Sequence, residues 1–118
     1  MFSGTVVFGE GKGKLLGYPT ANLNILPEDT GLDEGVYAAW AHIGDSRYQA
    51  AVAIDYFTKK VEAHLLNVPE QNLYGQEIGV DIVEKVSEMI RFKRQRDLQQ
   101  KIARDVDMIK NILQSLEG

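Results

Sequence analysis

Four glycines fall between residues 9 and 17 (Gly9, Gly11, Gly13 and Gly17), interleaved with Glu10, Lys12 and Lys14, and the segment leads directly into Pro19-Thr20-Ala21-Asn22. Glycines let backbone N–H groups approach a ligand closely and adopt positive φ, and lysines among them add charge, so such a segment can wrap a polyphosphate. A flexible turn with solvated lysines accounts for the same composition equally well, and the spacing fits neither the P-loop nor the dinucleotide-binding fingerprint. The residues that follow sharpen the choice. On an extended backbone Thr20 and Asn22 project to one side, which sets a hydroxyl and an amide oxygen next to the glycines. A few hard oxygen donors beside phosphate suit Mg²⁺, which usually keeps several of its waters. The alternative is that the pair merely closes a turn.

Other polar residues say less by themselves. In Val61-Glu62-Ala63-His64-Leu65-Leu66, alternation places Glu62 and His64 on one face. Taken alone, Glu62 reads as a carboxylate on the solvent face of a strand, and His64 as a structural histidine hydrogen-bonded at the end of a barrel. His42 receives no role. Arg91 to Arg96 forms a short basic run, and with Asp97 behind it this reads as a solvated helix entrance. The net charge of -4 argues against a nucleic-acid partner, which would demand a basic face. With no cysteine and two histidines, disulfides and thiolate metal sites are excluded and a zinc site has too few ligands. No apolar run reaches membrane-spanning length and Met1-Phe2-Ser3-Gly4 lacks the features of a leader. A soluble, cytoplasmic monomer is the expectation.

The elements that must position these groups follow from periodicity. At 118 residues there is room for one compact domain, and 44% apolar residues suffice for its core. Phe2 to Phe8 is β-branched and aromatic, a strand that opens into the glycines. Pro27 to Gly35 reads as a turn-rich connection with no helix. Gly35 to Ile43 alternates Val36, Ala38 and Trp40 with Tyr37, Ala39 and Ala41, a strand covered on both faces. Tyr48 to Ile54 is its hairpin partner across Gly44-Asp45-Ser46. Lys60 to Asn67 and Gln76 to Val86 are further strands, separated by a tight turn at Leu73-Tyr74-Gly75. The period then changes. Leu98, Ile102, Val106, Ile109, Leu113 and Leu116 recur at helical spacing over about residues 97–116, and Asp97 with Gln100 resembles a capping box. Short strands followed by one terminal helix favour a closed or nearly closed antiparallel barrel over about residues 1–92, with the helix outside it or across one end.

The order Gly-Glu-Gly-Lys-Gly-Lys-Leu-Leu-Gly-Tyr-Pro-Thr-Ala-Asn-Leu resembles the glycine-rich loop and PTAN motif of riboflavin kinases. The likeness continues through Gly35-Val36-Tyr37-Ala38, Val61 to Leu66, Leu73-Tyr74-Gly75, the Phe92 region and the final helix. It implies a six-stranded antiparallel Greek-key barrel with one C-terminal helix, and phosphoryl transfer from Mg-ATP to the ribityl 5'-hydroxyl of riboflavin, giving FMN and ADP. Carried over by position, Glu62 is the catalytic base, and Thr20 and Asn22 hold Mg²⁺ and the ATP phosphates. Gly9, Gly11, Gly13, Lys14 and Gly17 close over the nucleotide, and Leu65, Asn67, Tyr74 and Phe92 line its pocket. Ser87 and Ile90 fall on the flavin side. Three departures also lie there: the loop at Asp55 to Lys60 is shortened and its glycine replaced, Ser87 stands where the family carries a flavin-holding arginine, and Met89 stands where it carries a glutamate. A non-catalytic flavin or nucleotide sensor on the same barrel, or a kinase for another small alcohol, is therefore the competing expectation.

Overall fold

The computed structural model describes residues 1–7, 20–68, 72–90 and 94–117, with the side chain of Gln95 excepted. Six strands, β1 (Phe2–Val7), β2 (Thr20–Leu23), β3 (Gly35–Ile43), β4 (Ser46–Asp55), β5 (Lys60–Leu65) and β6 (Glu77–Ser87), precede one helix, α1 (Gln95–Glu117). The strands close into an antiparallel barrel in the order β1-β2-β5-β4-β3-β6, with β6 pairing back onto β1. Closure leaves no free edge among the described strands.

Alternation sorts every strand into an inner and an outer row. Tyr37, Ala39 and Ala41 of β3, Ala50, Val52 and Ile54 of β4, and Val61, Ala63 and Leu65 of β5 fill the interior with Val6, Leu23, Ile78 and Val80. Many of these are alanines, whose small volume suits a narrow barrel close-packed at native density. The outer row of β3 and β4 is apolar as well. Ala38, Trp40 and Ala51, with Leu66, pack under Val106, Ile109 and Leu113 of α1, so β3 is covered on both faces, as its sequence required. Two register shifts between β3 and β6, at Val36/Tyr37 and Ala38/Ala39, mark bulges. Bulges bend and twist a strand, and beyond these the end of β6 meets the helix.

Several boundaries differ from the sequence reading. Pro27–Thr30 forms a short 3-10 turn inside the connection expected to lack helix, with Pro at its start and Gly31 in the left-handed region at its end (φ 75°). Proline pre-sets the first turn and glycine accepts the terminal conformation, so a single turn forms where a full helix cannot. The β3–β4 hairpin turns on Gly44 and Asp45 alone, and Ser46 already pairs with Ile43. The helix begins at Gln95, so Asp97 lies within its first turn instead of capping it; there it favours the positive end of the helix dipole. Leu116 is 60% exposed and leaves the buried stripe, while Glu117 after it still reaches Arg47 of β4 at 3.3 Å.

Candidate active site

Strands β2 and β5 pair so that Thr20 lies opposite His64 and Asn22 opposite Glu62. Their neighbours Ala21, Leu23, Val61, Ala63 and Leu65 are in the barrel core, so alternation turns all four polar side chains outward together. Residues facing one another across antiparallel strands have Cβ atoms about 4.5–5.5 Å apart, close enough for one ligand to span. Next along the sheet, β4 contributes Ala53 opposite Glu62 and Ala51 opposite His64. Ala53, with a single side-chain carbon, keeps the surface low beside Glu62, while Ala51 already belongs to the helix-covered cluster. On the other side Val7 of β1 pairs with Asn22, so the described end of β1 lies beside this row.

The Thr20 hydroxyl and His64 Nδ1 are 3.0 Å apart. Burial disfavours the charged imidazole and lowers the His64 pKa to about 4, so at neutral pH the ring carries no charge next to Thr20. That suits a cation at this place, which an imidazolium would repel. Among the described residues no cluster of three or more His, Cys, Asp or Glu gathers as a metal site. The donors on offer are instead a hydroxyl and an amide oxygen, with the Glu62 carboxylate alongside. Few hard oxygens fit Mg²⁺, whose remaining positions go to water and phosphate.

Some of the remaining predicted residues can be placed in the fold. Gly9, Gly11, Gly13, Lys14, Gly17 and Phe92 lie outside the described residues. Leu65 is fully buried inside the barrel, so its side chain faces the core, while Glu62 and His64 take the outer face. Asn67 extends the β4–β5 pairing, its Oδ1 accepting from the Gln49 N–H at 3.2 Å. Tyr74 is 63% exposed. Its turn is tied to the end of β1 through Gly75 N–H to Val6 O (2.9 Å) and Val6 N–H to Gln76 O (2.8 Å), so Tyr74 stands beside the end of β1. Ile90 is exposed.

Ser87, which the resemblance puts on the flavin side, is engaged in a polar cluster that the sequence did not reveal. Its hydroxyl donates to Asp105 Oδ2 (2.9 Å) and accepts from Lys101 Nζ (2.9 Å), and Lys101 reaches the same carboxylate at 2.6 Å. Position Ser87 thus ties β6 to α1. The shortened loop is a tight turn: Asp55 Oδ1 accepts from the N–H groups of Phe57 and Thr58, and Lys59 takes φ 59°. Tyr56 pins it, donating its hydroxyl proton to Leu32 O at 2.6 Å and its N–H to Glu34 Oε2 at 2.8 Å.

The barrel alone does not choose a chemistry. A protein from Streptococcus pneumoniae whose structure is described as a macrolide-efflux protein shares the fold with TM-score 0.76 and 26% identity, over 92% of this chain and 38% of that one. The family model described as Flavokinase, riboflavin kinase, matches residues 1–113. The chain belongs to the riboflavin kinase family. A bifunctional riboflavin kinase/FMN adenylyltransferase from Buchnera aphidicola is 31% identical over 92% of this chain and 37% of its own length. Riboflavin kinase from Trypanosoma brucei has the same fold, with TM-score 0.72 and 22% identity over 95% of this chain and 75% of that one. The chain spans 37% and 38% of the length of the first two curated relatives it matches. No helix among the described residues is long and apolar enough to cross a membrane.

Proposed function

We propose that this riboflavin kinase family domain transfers the γ-phosphate of ATP to the 5'-hydroxyl of riboflavin, with Glu62 as the base. The observation that supports this most directly is the pairing of Asn22 with Glu62 on the outer face of the barrel, one row from Thr20 and His64. Phosphoryl transfer asks a protein mainly for positioning and charge neutralisation. Thr20 and Asn22 would hold Mg²⁺ with the nucleotide phosphates, and the sequence from Gly9 to Gly17, with Lys14, supplies backbone donors and a cation for the same phosphates. When bound, Mg²⁺ offsets the charge on the β- and γ-phosphates. Glu62, on the adjacent strand, orients the ribityl hydroxyl and takes its proton as the oxygen–phosphorus bond forms and the bond to the ADP oxygen breaks.

The test is FMN formation by the purified chain with riboflavin and ATP, with and without Mg²⁺, read by chromatography. Metal-dependent FMN is expected. Glu62→Gln keeps the size of the side chain and loses the base, so turnover should fall roughly 10²–10⁴-fold with binding retained; unchanged turnover would remove the role given to Glu62. A second reading, ligand binding without turnover or transfer to another alcohol, is favoured by the occupied Ser87 hydroxyl and the pinned turn at Asp55–Lys60. It predicts nucleotide or flavin binding and no FMN.

A further inference from the structure

We propose that His64 is a positioning residue for the metal–nucleotide site, its Nδ1 accepting the Thr20 hydroxyl proton so that the oxygen lone pairs face the cation and phosphates. The inference rests on Thr20 being a ligand in the reading above.

A hydroxyl carries one proton and two lone pairs. A hydroxyl that binds a cation must direct its proton elsewhere, and in a free side chain that proton rotates among many partners. Here the choice is narrowed twice. Threonine is branched at Cβ and stiff about χ1, and its strand register sets it squarely opposite His64, with Oγ1 and Nδ1 3.0 Å apart. The imidazole is held in its turn, with Val61, Ala63 and Leu65 of its own strand locked in the barrel core and Ala51 beside it on β4. An acceptor of another kind would serve less well. A carboxylate at position 64 would bind the cation itself and compete with Thr20, whereas a neutral imidazole accepts the proton without adding charge.

The heavy-atom distance fits either direction of this hydrogen bond, so the first test is nitrogen NMR of the ligand-free chain at pH 8. Nδ1 is expected to show the shift of an unprotonated, acceptor nitrogen, and that shift should move in Thr20→Val. A protonated Nδ1 overturns the proposal whatever the chain binds. The second test is calorimetric titration with ADP, in Mg²⁺ and in excess chelator. His64→Phe keeps a ring and removes the acceptor. It should weaken Mg-ADP binding about five- to tenfold, the effect of one ordinary hydrogen bond, and leave metal-free ADP binding unchanged. His64→Asn places an amide oxygen where Nδ1 was and should recover most of the affinity. Combining Thr20→Val with His64→Phe should cost no more than Thr20→Val alone.

Equal loss with and without metal in His64→Phe, or none at all, would overturn the assignment; where that variant fails to fold, the Asn variant and the nitrogen shift still decide. If the parent binds ADP no better with Mg²⁺ than without, the metal site falls and this proposal with it. If Mg-ADP binds as expected but no FMN forms, only the reaction assigned to the domain fails.

Discussion

Replacing Lys101 with Met tests how the helix is fastened to the barrel, and through it why Ser87 is where it is. Lys101 and Asp105 sit one helical turn apart at 7% exposure each, joined at 2.6 Å, with the Ser87 hydroxyl bridging from β6. Removing the ammonium leaves a carboxylate out of water with one neutral donor. Breaking a buried pair in this way costs about 3–5 kcal/mol, and because the site is near the surface of the helix interface the lower figure, about 3 kcal/mol, applies. For a domain of this size that corresponds to a fall in Tm of about 12 °C, and to a large part of a typical total stability of about 5–15 kcal/mol. Urea unfolding followed by circular dichroism would show a lower midpoint with an unchanged slope. The control is the combined Ser87→Ala, Lys101→Met, Asp105→Leu variant. It removes every member of the cluster and should lie within about 1 kcal/mol of the parent, since no charge or hydroxyl is stranded. If Lys101→Met costs less than about 1 kcal/mol, or the combined variant is as unstable as the single one, the account of this cluster is wrong. Ser87→Arg, which restores the residue type of the family resemblance, should also destabilise, because it sets a second cation beside Lys101.

Three further outcomes follow from the same geometry. The His64 pKa is held at about 4 in the folded chain against 6.5 for a free imidazole; between these values the unfolded chain binds a proton that the folded chain refuses, so stability falls as pH drops through that window. The ceiling on this loss is about 3 kcal/mol, and His64→Asn should show a correspondingly flatter profile of urea midpoints between pH 7 and 4. Gly35→Ala should destabilise by about 1–3 kcal/mol in thermal unfolding, since Gly35 has φ 158° and a Cβ there would run into the Lys85 side chain and lie 2.9 Å from Ser87 O. Tyr56→Phe loses the hydroxyl that reaches Leu32 O at 2.6 Å and Pro27 O at 3.2 Å, and should cost about 1 kcal/mol. Amide exchange around residues 27–34 should quicken in that variant.

What was legible in the sequence was whatever depends on near neighbours. Period-two alternation over Gly35–Ile43 and Glu77–Ser87 marked two strands to within a residue or so, because the pleat forces alternate side chains to opposite faces. The helix announced itself by apolar residues at spacings of three and four. Its start did not, since Gln95 and Arg96 carry no distinct capping signal and Asp97 serves a first turn as readily as a cap. The 3-10 turn at Pro27–Thr30 escaped for a related reason: one turn is too short to show a period.

The candidate site divides the same way. That Thr20 and Asn22 share a face, and that Glu62 and His64 share a face, follows from alternation within each strand. That the two faces are one surface does not. It requires β2 to lie beside β5 in a register that sets Asn22 against Glu62, across a separation of forty residues, and closure of the whole barrel decides that pairing. The same holds for Ser87, Lys101 and Asp105: helical spacing sets Lys101 and Asp105 one turn apart, but only the meeting of β6 with α1 brings Ser87 to them. Local backbone geometry is written in local sequence, whereas the meeting of distant side chains depends on which strands can pair while every inner row stays filled, and that is a property of the folded chain as a whole.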